Sequence, residues 1–131
     1  MTIFSKIIKG EIPSFRIAEN EKFYAFLDIN PLVEGHTLVI PKLEVDKFLN
    51  MPDEYLKEIL LFAKPIATAI EKSFPCNRCA LSVVGLEVPH AHMHLIPINN
   101  MNDINFTRKK LSPTQEELKS TQKKILRAME S

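Results

Sequence analysis

The chain has 131 residues, 45% of them hydrophobic and 25% charged, with a formal net charge of +1. That is the size and balance of one folded domain; it excludes disordered, collagen-like and mucin-like chains and lacks the basic surplus of a dedicated nucleic-acid surface. Lys and Arg outnumber Asp and Glu only after residue 100, so a mildly basic tail follows a near-neutral body. Two cysteines, Cys76 and Cys79, make no disulfide framework. The opening apolar run is short and interrupted by Lys6 and Lys9, unlike a signal peptide. No stretch approaches the ~20 apolar residues of a membrane span. A soluble, cytoplasmic protein without membrane or nucleic-acid partners is expected.

Phe4 to Lys9 reads as a short helical stretch closed by Gly10, with Pro13 forbidding continuation. Phe15–Ala18 and Lys22–Asp28 then read as a hairpin whose second strand is buried on both faces. His36–Ile40 is a third strand, preceded by Gly35 and stopped by Pro41. Pro52-Asp53-Glu54 starts a long helix, with two carboxylates at the positive end of its dipole. Its apolar face carries Tyr55, Ile59, Phe62, Ile66, Ile70 and Phe74; Pro65 inside it is expected to kink it, and Pro75 ends it. Ala80–Val84 and His92–Ile96 are two further strands, and Asn99 to Asn105 is a polar loop. Ser112-Pro113-Thr114-Gln115 reads as a capping box that starts a C-terminal amphipathic helix with a stripe of Leu118, Ile125 and Met129.

Three of the four histidines stand at 90, 92 and 94. On a strand, residues two apart share a face, so this alternation lines up three imidazoles and turns Ala91, Met93 and Leu95 the other way. The outer two would stand ~13 Å apart, so two of the three can share a metal but the straight row cannot. Cys76-x-x-Cys79 has no second pair and reads as structural. Phosphate chemistry suits the row better. A neutral imidazole is nucleophilic near pH 7, and a neighbouring imidazole can hydrogen-bond phosphoryl oxygens or serve the leaving group.

His90-x-His92-x-His94, followed by Leu95 and Ile96, resembles the signature of the histidine triad (HIT) superfamily. Ile3-Phe4-x-Lys6-Ile7-Ile8-x-Gly10-Glu11-Ile12-Pro13 is similar to that superfamily's N-terminal block. Phe26-Leu27-Asp28-Ile29-Asn30-Pro31 and Gly35–Lys42 resemble its Hint-type nucleotide phosphoramidase branch, a match over about residues 2–98. The resemblance implies an α+β fold: a five-stranded antiparallel sheet with one long helix, short helices and a C-terminal helix, dimerised into a ten-stranded sheet. Residues 1–98 would be the HIT domain, and 99–131 a polar loop and amphipathic helix, part of it or a tail. The resemblance further implies a purine nucleotide site for AMP-like ligands, without a cofactor. By position, His92 would be the nucleophile on the α-phosphate and His94 a phosphate or leaving-group contact. His90 and His36 would be supporting imidazoles. Asp28 would accept hydrogen bonds from the ribose hydroxyls, and Phe4, Ile7, Phe26 and Ile29 would wall the base.

The sequence departs from that pattern in two places. Zinc-binding members carry a C-x-x-C where Thr2 and Ser5 stand here, and a histidine where Glu44 stands, so no structural metal is expected. The loop before the triad is short and has no Asn, and the resemblance implies that Gly85, Leu86 and Glu87 would stand beside the phosphate. Glu87 occupies a position where relatives have Ser or Thr. A carboxylate there is repelled by the substrate unless it takes up a proton, turns away or pairs with an imidazolium; protonated, it would be an acid for the leaving group. The expected activity is cleavage of purine nucleoside 5′-phosphoramidates through a nucleotidyl-histidine. A dinucleoside polyphosphate hydrolase and a nucleotide-binding sensor or adaptor are the alternatives.

Overall fold

Five short apolar runs form one antiparallel sheet in the computed structural model, which describes residues 1–130. The strands are β1 (Arg16–Glu19), β2 (Phe23–Leu27), β3 (Thr37–Pro41), β4 (Arg78–Ser82) and β5 (Met93–Ile98), in the order β1-β2-β3-β5-β4. Three α-helices accompany them: α1 (Ile3–Ile8), α2 (Asp53–Ser73) and α3 (Gln115–Glu130). Single 3-10 turns lie at Phe48–Asn50 and Met101–Ile104. The second falls in the segment read from sequence as plain loop; Asn100 and Asp103 cap it reciprocally.

The sheet buries both faces, which is why β2 and β3 lack a polar alternation. Phe23, Ala25, Leu27, Val39, Met93 and Leu95 face a core closed by α2 and α3 through Ile59, Ile66, Ile70, Leu118 and Ile125. Tyr24, Phe26, Leu38 and Ile40 face the other way and meet Phe4 of α1, with Ile7 packed against them. The C-terminal helix therefore packs on the core of its own chain.

Several boundaries differ from the sequence reading, each for a tertiary reason. β4 spans Arg78–Ser82 rather than Ala80–Val84 because its single partner fixes its length: Arg78 faces Ile98 and Ser82 faces His94. Val83 and Val84 leave the sheet half-exposed. The helix α2 runs through Pro65, as the sequence reading had it; Pro65 and Leu61 both lie on its exposed side, where water can take the freed Leu61 carbonyl. α3 is capped by Thr114 and not by Ser112: Thr114 Oγ1 accepts from Glu117 N–H (3.1 Å), and Glu117 accepts from Thr114 N–H (2.8 Å). Gly35 turns the chain into β3 with φ of +99°, and a Cβ there would stand 2.7 Å from the Phe74 ring.

Candidate active site

The histidines gather on the α1 face of the sheet, at the seam between β3 and β5, where His94 pairs with Leu38. Their regular row does not survive. β5 begins at Met93, so His90 and His92 precede the strand, and Ala91 N–H donates to Val45 O instead of a strand neighbour. The alternation still holds in its consequence: Ala91, Met93 and Leu95 enter the core, and all three histidines are buried on the opposite side. His92 and His94 stand edge to face, with ring centroids 5.1 Å apart. His36, from the Gly35 turn, joins them and lies 5.1 Å from the His94 ring.

The hydrogen bonds fix which nitrogen carries each proton. Leu32 N–H donates to His36 Nδ1 at 3.0 Å, so a neutral His36 holds its proton on Nε2. That Nε2–H points at His94 Nδ1, 2.9 Å away, which must accept. Burial drives the His36 pKa down to about 3 and that of His94 to about 4, so both are neutral near pH 7. His94 is left with its proton on Nε2, facing outward as a donor. On His92, Nδ1 lies 2.7 Å from the His90 carbonyl, which can only accept. A neutral His92 therefore presents a bare lone pair on Nε2. One imidazole offers a lone pair beside another that offers a proton.

His90 is held from two sides. Its Nε2–H donates to Pro41 O (2.9 Å), and Thr2 Oγ1 lies 2.8 Å from its Nδ1 and, for neutral His90, donates to it. Thr2 also caps α1, accepting from Ser5 N–H at 3.0 Å, while Ser5 Oγ donates to Glu44 at 2.5 Å. Thr2, Ser5, Glu44 and His90 thus meet as a hydrogen-bonded set. Two hydroxyls, a carboxylate and an imidazole engaged at both nitrogens are a poor donor set for zinc. A second cluster, Asp28, His36 and His94, brings its ligand atoms within 4.8 Å of one another. There the electron pairs a metal would need are engaged, on His94 Nδ1 by His36 Nε2–H and on His36 Nδ1 by Leu32 N–H.

Asp28 follows β2 and is mostly buried, which raises its pKa; Asn30 N–H donates to one oxygen, and the other lies 3.7 Å from His36 Nε2. Phe4 stands 5.2 Å from the His92 ring and 5.5 Å from Phe26, so both are core residues and Phe4 also borders the triad. Ile7 packs on the same cluster, and Ile29 is 58% exposed beside Asp28. In the short loop, Gly85 adopts φ of +74° and Leu86 is 89% exposed. Glu87 turns away from the imidazoles, one of the three outcomes open to a carboxylate here. Its exposed carboxylate faces Lys110 at 3.3 Å rather than an imidazole, so the loop supplies no shielded acid.

Three neighbours of the site escaped the sequence reading. Phe106 packs its ring 4.7 Å from His94 and 6.4 Å from His36. Arg108 donates to Leu32 O, and Lys110 meets Glu87. All three come from the stretch between the second 3-10 turn and α3, within the 99–131 segment read as polar loop and amphipathic helix. An aromatic residue in a polar stretch was the available signal; nothing in its spacing pointed to the triad.

A sequence model of the HIT domain matches residues 9–101. The chain is 45% identical over 96 residues to adenosine 5′-monophosphoramidase HNT1 of Saccharomyces cerevisiae, covering 72% of this chain and 61% of that protein. It is 44% identical over 108 residues to the adenosine 5′-monophosphoramidase HNT1 of Candida albicans, covering 72% and 68%. The fold superposes on a Hit-like protein from Bartonella henselae with a TM-score of 0.84 at 32% identity, covering 97% of this chain and 95% of that one. With its five-stranded antiparallel sheet and three helices, the chain belongs to the HIT domain family.

Proposed function

We propose that the chain hydrolyses purine nucleoside 5′-phosphoramidates at the α-phosphate, through a nucleotide bonded to His92. The observation that carries this reading is the pairing of a lone pair on His92 Nε2 with a proton on His94 Nε2. His92 Nε2 attacks phosphorus while its Nδ1–H stays on the His90 carbonyl, which steadies the positive charge that develops on the ring. The P–N bond of the substrate breaks. The departing nitrogen, hydrogen-bonded by His94, takes a proton from solvent and leaves as the amine. Water then attacks phosphorus, the P–Nε2 bond breaks, and the nucleotide and free His92 are restored.

Asp28 accepts from the ribose hydroxyls, and Phe4, Ile7, Phe26 and Ile29 border the base. The identity to two phosphoramidases supports this leaving group over a P–O–P bond. The reading needs no cofactor. It includes a homodimer formed along β4, an edge strand with one partner. Beside that edge Leu81 is 50% exposed, and Leu60 and Leu61 of α2 are 55% and 70% exposed, an apolar strip suited to a second copy.

Rapid-quench mass spectrometry with adenosine 5′-phosphoramidate tests the mechanism. The wild-type chain should gain one adenylate, and His92→Ala should gain none while still binding AMP. Equal turnover by His92→Ala would overturn it.

A further inference from the structure

The segment after β5 brings a fixed positive charge to the triad. Leu111 N–H donates to Pro31 O at 2.9 Å, Arg108 donates to Leu32 O, and Phe106 lies against His94. The Leu111 backbone and the Arg108 side chain tie the segment on both sides of Lys110 to the turn that also holds His36. The Lys110 ammonium stands close enough to lower the pKa of Asp28, His36 and His94 together. Its one ion-pair partner among the described residues is Glu87, at 3.3 Å, on the loop just before the triad. Glu87 is 79% exposed, and an exposed pair of this kind holds weakly. A phosphoryl oxygen offers the same ammonium a charge-assisted bond in a more sheltered place.

We propose that Lys110 is a phosphate-binding residue of this site, held by Glu87 in the free chain and handed to the phosphoryl oxygens when a nucleotide binds. The proposal rests on the nucleotide reading above and adds to it a residue from outside the triad and its loop. Glu87 acts in it as a stand-in anion. It keeps the lysine extended toward the site and yields it to a stronger acceptor, which resolves the presence of a carboxylate beside an anionic substrate.

Calorimetric titration with AMP and with adenosine, at low salt, separates this role from bracing of the tail. Lys110→Met should weaken AMP about tenfold, the loss of one charge-assisted bond, and leave adenosine unchanged. Lys110→Arg should recover most of that loss. Glu87→Gln should tighten AMP about threefold, because it frees the lysine and removes a repulsive charge. Opposite signs for the two variants are the signature. AMP affinity unmoved by Lys110→Met would overturn the assignment, as would both variants weakening AMP and adenosine alike. A wild-type chain that binds no AMP overturns the nucleotide reading and this assignment with it; one that binds AMP indifferently to Lys110 overturns the assignment alone.

Discussion

At His36, the burial of one imidazole sets the protonation of a second. Because Leu32 N–H occupies Nδ1, the proton sits on Nε2 and forces His94 to accept, which in turn aims the His94 proton outward. His36→Ala removes that constraint without touching the nucleophile. The expected outcome is a fall in kcat of about a hundredfold with little change in AMP affinity. Nitrogen chemical shifts of His94 should move from a single Nε2–H tautomer toward a mixture. Gly35 presents a different constraint at the same turn. Gly35→Ala puts a Cβ into the Phe74 ring and a side chain at φ of +99°, and should cost about 1–3 kcal/mol in denaturant unfolding.

Among the elements, α3 gives the cleanest test of how a boundary is chosen. Two candidate capping boxes overlap in its approach, one from Ser112 and one from Thr114. The second is formed because it places Leu118, Thr121 and Ile125 together on the buried side of α3, against α2 and the 28–36 turn. Thr114→Ala should lower stability by about 1 kcal/mol in a urea titration, while Ser112→Ala should leave the midpoint unchanged. The strands teach the same lesson. Composition marks where β4 and β5 lie, but the residue at which each begins depends on what its neighbour pairs with.

For the molecule as a whole, the buried imidazoles make stability depend on pH. His36 and His94 titrate at about 3 and about 4 in the folded chain, against an ordinary value of 6.5. Below 6.5 the unfolded chain takes up protons that the native chain refuses, so stability is full above 6.5 and declines as pH falls toward about 4 and then 3. Asp28, whose pKa is raised by burial, opposes this in part at the acid end. Thermal melts should show Tm falling steadily from pH 7 to pH 4, and His36→Ala should flatten that slope. Assembly is the other property at this scale. With Leu61 exposed on α2 beside the β4 edge, Leu61→Glu should convert a dimer seen by light scattering to a monomer of 15.0 kDa. A wild-type chain that scatters as a monomer at micromolar concentrations would remove the dimer from the proposed function.

The sequence by itself determined the sheet, the long helix and the candidate chemistry, because those rest on local signals. Alternation drove Ala91, Met93 and Leu95 into the core, and that left His90, His92 and His94 on the other side. The blocks around Phe4, Asp28 and Gly35 carried the family resemblance in their order. Tertiary structure alone decided what those side chains do to one another. His36 and His94 are 58 residues apart, Thr2 and His90 are 88 apart, and their hydrogen bonds set tautomers that no spacing encodes. Lys110 and Phe106 reach the triad through a turn pinned at Pro31 and Leu32, so their place was invisible in a stretch that reads as polar loop. Burial and proton position depend on neighbours brought from a distance, and such neighbours exist only once the chain has folded.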